Sequence, residues 1–209
     1  MRLLLGFCLV LVFTACNTAK TTARASENDA ATHQAELNAT YLDANRSILP
    51  PEKLAKLQKL GGLPFYSIDP AYRVTAKLER FEAPEVIKMQ TSSTRLAEYA
   101  IYALATFELN GKAVSIPLYR SLRIDIAPKY RNLLFLPFKD HTSGKTTYGG
   151  GRYLDLSIPD GDELVIDFNK AYHPYCAYTT GYSCPVVPED NYLDMAVEAG
   201  IKMVDLEEQ

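Results

Sequence analysis

The chain has 209 residues, 22 Lys and Arg against 25 Asp and Glu for a formal charge of −3, 47% hydrophobic residues, four cysteines and no tryptophan. This excludes a disordered or collagen-like polymer, and the length fits one globular domain. It also lacks the basic excess that neutralises phosphates, so nucleic acid is not an expected partner.

The chain opens MRLLLGFCLVLVFTACN, with one positive charge at Arg2, an apolar run from Leu3 to Phe13, and then Thr14, Ala15 and Cys16. These are the length and flanks of a secretory signal. The run is far short of the roughly 20 residues that span a bilayer core. The small residues before Cys16 resemble the lipobox of bacterial lipoproteins. That resemblance implies removal of residues 1–15, lipid on Cys16 as the membrane partner, and a place in the bacterial cell envelope, at the periplasmic face or the cell surface. A soluble secreted protein cut elsewhere is the alternative, because Phe13 stands where leucine is commoner. Cys8 leaves with the signal and Cys16 carries lipid, so Cys176 and Cys184, eight residues apart in an oxidising compartment, are expected to form a disulfide.

Residues 16–40 begin with an Ala/Thr/Ser/Asn-rich stretch without aromatic residues, expected to be a flexible tether. Residues 41–209 then form a single β-rich domain. Ala35 to Asn45 has helical character, and Pro51 to Leu60 more so, with Pro51 in the first turn, Gly61–Gly62 as a stop, and Leu54, Leu57 and Leu60 on one face. After Gly62 the period changes to two. Tyr72 to Arg80 alternates as a half-buried strand, and Glu98 to Leu109 is a second. Asn110–Gly111 turns it into Lys112 to Tyr119, where Pro117 suggests a sheet edge. Asn132 to Phe138 is a short apolar strand, and Gly151 to Ile158 is expected to pair with Glu163 to Asn169 across Asp160–Gly161. The fold class is therefore mainly β (α+β), an antiparallel β sandwich or partly open barrel with one or two N-terminal helices.

Chemistry-bearing residues gather in the last third. In the hairpin expected there, Leu154, Leu156, Ile158, Leu164, Ile166 and Phe168 share one face, which displays Tyr153, Asp155, Asp167 and Asn169 on the other. Thr142, Ser143, Gly144, Thr146, Thr147 and Gly149 to Gly151, with Lys145 and Arg152, read equally as an anion-binding loop or a Gly-rich turn. A phosphate-binding P-loop fails, because Lys139 stands where its first glycine belongs and no helix signal follows. Ser143 has no nucleophile-elbow context. Zinc on His173, Cys176 and Cys184, completed by Asp167 or His141, is disfavoured by the oxidising compartment, and no metal or cofactor is expected. Asp155 and Asp167 are candidate paired carboxylates, and His141 or His173 a candidate general base. Tyr172, Tyr175, Tyr178, Tyr182 and Tyr192 either line a pocket for a sugar or lipid headgroup or simply pack the Pro-rich segment.

The run Asp140, Thr142-Ser143-Gly144, Thr147-Tyr148-Gly149-Gly150-Gly151-Arg152-Tyr153-Leu154, Asp167-Phe168-Asn169-Lys170-Ala171-Tyr172-His173-Pro174-Tyr175-Cys176-Ala177, Cys184-Pro185 and Asn191-Tyr192-Leu193 resembles the bacterial family catalogued as domain of unknown function 1684, in its short form. His173 stands where that family usually has asparagine, and Val187 where proline is frequent. The family has no settled activity. The resemblance implies that, if these residues form a ligand-binding site, it comprises Asp140, Thr142, Ser143, Tyr148, Arg152, Asp167, Asn169 and Tyr172.

Two functions fit. The favoured one is a membrane-anchored envelope lipoprotein acting as a binding or structural module, with a polar Asp/Asn/Arg/Tyr site for a polar envelope ligand. The alternative is a hydrolytic enzyme using Asp140 or Asp167 as acid/base with Arg152 stabilising negative charge. A third possibility is that the same polar residues form a buried network that fixes the Gly-rich loop, with Arg152 bidentate to Asp140 or Asp167. Nothing in the sequence sets the oligomeric state.

Overall fold

A computed structural model describes residues 13–123 and 131–206, with side chains placed from residue 28 onward. The side chain of Cys16 and most of the expected signal peptide lie outside the described residues. Two helices precede seven strands: α1 (Phe13–Leu42), α2 (Pro51–Lys59), β1 (Arg73–Arg80), β2 (Val86–Gln90), β3 (Leu96–Leu109), β4 (Lys112–Ser121), β5 (Leu133–Phe138), β6 (Arg152–Ser157) and β7 (Glu163–Asp167). The strands form one antiparallel sheet in the order β6-β5-β4-β3-β1-β7, with β2 also on β3. The sheet curls into a nearly closed barrel, as expected from its strand pattern.

The turn at Asn110–Gly111 shows how local chemistry sets this topology. Both residues take positive φ, 52° and 74°, the geometry that matches the right-handed twist of a two-residue hairpin. β3 and β4 consequently pair from Leu109↔Lys112 to Tyr99↔Ser121, with a register shift between Ile101 and Ala103. Past that irregularity β3 changes partner along one edge. Ala103 to Thr106 pair with β1, and Leu96 to Ala100 with β2.

Alternate residues point inward. Ala76 and Leu78, Phe107 and Leu109, Ile116 and Leu118, Leu134 and Leu136, and Leu154 and Leu156 meet in one buried cluster. The C-terminal segment closes one end of the barrel. Leu193, Met195, Val197 and Ala199 are buried in turn between exposed Tyr192, Asp194 and Glu198. A second apolar cluster joins the helices to the tail through Tyr41, Leu54, Leu57, Tyr178, Ile201 and Leu206.

Several sequence expectations change. β6 and β7 do not pair with each other but hold opposite ends of the sheet, on β5 and β1. The physical reason lies in the turn, since neither Asp160 nor Gly161 takes the positive φ of a tight hairpin. Its flanks bond to different neighbours, Ile158 N–H to Asn132 O at 3.2 Å and Leu78 N–H to Asp162 O at 2.7 Å. Pro117 lies in β4, an interior strand rather than an edge. It is tolerated because β4 meets β5 at the single register pair Tyr119↔Phe135, so no ladder bond requires an N–H at Pro117. Leu60 is 58% exposed, beyond the buried face of α2 that carries Leu54 and Leu57.

The tether expectation also needs correction over residues 28–40, which are helical. Ala30 and Tyr41 of α1 are buried. Gln34 Nε2 donates to Asn169 O at 2.9 Å, and Asn38 Oδ1 accepts from Leu63 N–H at 2.7 Å. Among the described residues, no helix is long and apolar enough to cross a membrane.

Candidate functional site

Period two sends Arg152 inward and Asp155, three residues along the same strand, outward. Arg152 is fully buried at the end of the barrel. Its Nη2 donates to Asp140 Oδ2 at 2.5 Å and to Val197 O at 2.8 Å, its Nη1 donates to Ala199 O, and its guanidinium lies 4.9 Å from the centre of the Phe138 ring. Asp140 Oδ1 accepts from both the N–H and the hydroxyl of Thr142. Thr142 Oγ1 lies 2.9 Å from Thr147 Oγ1, and Ser143 Oγ accepts from Asp140 N–H at 3.2 Å. Both carboxylate oxygens are thus engaged inside the protein, beside a guanidinium held by backbone carbonyls.

The Gly-rich loop likewise bonds to itself. Thr142 O accepts from the N–H groups of Lys145, Thr146 and Thr147, Gly144 N–H donates to Thr147 O, and Gly151 N–H donates to Tyr148 O. These N–H groups are spent within the loop and form no anion cradle. Gly151 is required at its position. At φ 96°, a Cβ there would sit 2.6 Å from Phe138 O.

Asp167 and Asn169 occupy another buried place, at the end of β7. Asp167 Oδ1 accepts from Asn169 N–H at 3.0 Å and from Asn169 Nδ2 at 2.9 Å, and its Oδ2 is 3.8 Å from Arg73 Nε. Asn169 also clamps Asp69 through both backbone groups, at 3.0 and 2.9 Å. Tyr148, half-buried, donates its N–H to His173 Nε2 at 3.1 Å. That bond needs an unprotonated Nε2, so the proton sits on Nδ1 and bonds to Tyr178 Oη at 3.1 Å. Burial, ahead of the Arg152 charge, lowers the His173 pKa to about 3. His141, by contrast, is exposed and bonds Asp194 Oδ1 at 2.9 Å. Cys176 and Cys184 form a disulfide with Cα atoms 6.4 Å apart. Among the described residues, no three His, Cys, Asp or Glu side chains are placed to hold a metal ion.

Of the eight residues proposed as a site, Asp140, Thr142, Ser143 and Arg152 therefore meet in one network, Asp167 and Asn169 in another, and Tyr148 packs beside His173. Tyr172 alone of the eight lines the cavity on the outer face.

That cavity, about 510 Å³, lies on the outer face of the barrel. Its floor crosses four strands through Tyr99 of β3, Ser121 of β4, Phe135 of β5, and Tyr153 and Asp155 of β6. α1 forms one wall with His33, Leu37, Thr40 and Tyr41, and the disulfide segment forms another with Tyr175, Tyr182, Ser183 and Cys184. Tyr99 stacks on Phe135 with ring centres 5.5 Å apart, and Tyr153 meets Phe135 edge-on at 4.8 Å. The disulfide wall is tied down by Ser92 N–H to Cys184 O at 2.8 Å and Arg95 Nη2 to Ser183 O at 2.9 Å.

Asp155, Tyr172 and His33 are among the titratable groups that face this space. Tyr172 Oη donates to Asp155 Oδ2 at 2.9 Å, and Asp155 Oδ1 has no hydrogen-bond partner among the described residues. Solvent reaches Asp155 through the cavity, yet the surrounding protein raises its pKa by desolvation, against the opposing hydrogen bond from Tyr172 and the charge of His33. His33 bonds the Lys170 backbone, and its buried Nε2 has no partner. Burial, then the Lys170 charge, lowers its pKa and leaves the ring neutral near pH 7.

Sequence reasoning placed Asp155 and Tyr153 on the outer face but had no means of roofing them, because His33 fell in the expected tether. The one available signal was the density of tyrosines from Tyr172 to Tyr182, two residues of which, with Tyr175, line the walls.

The chain is similar to the solution NMR structure of an uncharacterized protein from Haloarcula marismortui, with 34% identity and a TM-score of 0.67 over 87% of this chain and 96% of that one. No curated protein matches. Residues 58–202 match the family described as protein of unknown function (DUF1684). That match covers more than half of the chain, and the protein belongs to the DUF1684 family.

Proposed function

We propose that the protein is a ligand-binding module of the cell envelope, held at a membrane by lipid on Cys16, and that it binds its ligand in the outer-face cavity. The observation that carries this reading is the cavity itself. Its volume of about 510 Å³ falls within the range of small-molecule sites, roughly 300–1,000 Å³, and such sites pair apolar walls with a few convergent polar groups. Here aromatic and aliphatic side chains form most of the lining, and the polar groups include Asp155, Tyr172, His33 and Arg123. The lipobox-like Thr14-Ala15-Cys16 supports the anchor, and its test is mass spectrometry of the membrane-extracted protein. A diacylglyceryl group on an N-terminal Cys16 is expected, and an unmodified Cys16 would defeat the anchor.

The buried Asp140–Arg152–Thr142 network fits a structural role better than a catalytic one. A hydrolase needs a carboxyl group able to exchange a proton with substrate, whereas both Asp140 oxygens already accept internal bonds. Titration with the uncharged polarity-sensitive dye N-phenyl-1-naphthylamine tests the cavity. One saturable site is expected on the folded full-length protein, lost in Leu37→Trp, which fills the space from the α1 wall. Dye binding that survives Leu37→Trp in a folded protein would move the site elsewhere.

A further inference from the structure

We infer that the cavity selects a small organic cation, an amine or quaternary ammonium group seated between Asp155 and the aromatic floor. This rests on the cavity being the binding site. Asp155 is directly opposite Phe135 in the β5–β6 register, and Tyr153 precedes it on the same face of β6. The Tyr172 hydroxyl fixes one carboxylate oxygen, which leaves the other open to the cavity. Asp155 remains exposed to solvent, so a cation entering from solution can reach its open oxygen and is attracted by its charge. Rings carry negative electrostatic potential on their faces, so a cation seated over a face of Tyr99, Phe135 or Tyr153, all of which line the cavity, gains attraction that an anion there does not.

Other occupants fit less well. An anion would meet the Asp155 charge at the floor, and the α1 wall answers with a neutral imidazole rather than an imidazolium. Arg123 does border the cavity, but it follows the end of β4, two strands from β6. With neighbouring strands about 4.8 Å apart, that is roughly 10 Å from Asp155 across the sheet. A neutral sugar would use the tyrosine hydroxyls but would leave the carboxylate charge unmatched.

The test compares choline with its neutral carbon isostere 3,3-dimethylbutan-1-ol, titrated into the full-length protein by calorimetry and by displacement of the dye. Choline is expected to bind at least about tenfold more tightly than the isostere. Asp155→Asn, which keeps the shape and the Tyr172 contact, removes that preference so that the two probes bind alike, in a protein that still melts at the same temperature. Phe135→Leu, which keeps an apolar floor but removes the ring, weakens choline about fivefold more than it weakens the isostere. Choline affinity also falls as acid protonates Asp155. Equal affinity for the two probes, tighter binding of a neutral sugar, or indifference to Asp155→Asn, with dye binding intact, would overturn the cation and spare the cavity. Failure of the dye to bind the cavity would overturn both.

Discussion

Arg152 and Asp155 stand three residues apart on β6 and belong to two different kinds of place. Arg152 faces inward, where every oxygen of its carboxylate partner is engaged and two backbone carbonyls take the remaining charge. Asp155 faces outward into a cavity, with one oxygen held by Tyr172 and the other open. The polar residues that stand out as a sequence motif divide between these places according to the parity of the strand. A buried pair in which both carboxylate oxygens are engaged specifies how the Gly-rich loop meets the C-terminal segment. An open carboxylate among aromatic rings has capacity to spare for a ligand. Density of polar residues therefore locates the scaffold, and a carboxylate that lines a cavity locates the site.

The contrast can be broken most forcefully at Arg152. Arg152→Ala leaves Asp140 buried without its counter-charge and is expected to cost about 3–5 kcal/mol in urea unfolding, whereas a loss below about 1 kcal/mol would contradict the structural role. Removing the disulfide with Cys176→Ser and Cys184→Ser should cost about 2–3 kcal/mol on the chain-entropy model and weaken dye binding through the wall it anchors. Thiol labelling of the denatured, unreduced protein should leave Cys176 and Cys184 unmodified, and labelling of both would remove the bridge. Gly200, at φ 74°, lies beside the carbonyl that receives Arg152, and a Cβ there would come within 2.7 Å of Phe168 O. Gly200→Ala is expected to cost about 1–3 kcal/mol, which circular dichroism melting would register.

Acid offers a gentler probe. The folded His173 pKa is about 3, below the unfolded value of about 6.5, so the unfolded chain binds the extra proton first. Its contribution is complete above pH 6.5 and is lost as pH falls toward 3, by about 1.4 kcal/mol per unit inside that window. His173→Asn should flatten the slope, and an unchanged slope would mean that the ring is already charged in the fold. The smallest stability effect is expected at Asp155. Asp155→Asn should alter unfolding by less than about 0.5 kcal/mol, and a large loss would mean that this carboxylate, like Asp140, serves the scaffold.

Much of the fold is legible in the residues because local chemistry and tertiary structure agree. The alternation through Ala76 and Leu78 and the Asn110–Gly111 turn each specify their element without help from distant partners. β2 is harder to see, since only Met89 of its five residues is buried. The partners of β6 and β7 are invisible locally, because Asp160–Gly161 looks like a hairpin turn in sequence while its backbone lacks positive φ. α1 hides for a similar reason. Its buried positions include Ala30 and Tyr41, eleven apart, amid Thr, Asn and Ala, too sparse for a helical stripe without the C-terminal segment they dock on. The cavity inherits that difficulty, since its lining is gathered from segments scattered between His33 and Pro185.

Backbone amide chemical shifts recorded while choline is titrated into the full-length protein test the central claim most directly. Saturable changes are expected at Phe135, Asp155, Tyr172 and His33, with Thr142 to Gly151 unmoved. Changes centred on Thr142 to Arg152, with the outer face silent, would place the site in the motif and contradict the division between scaffold and cavity.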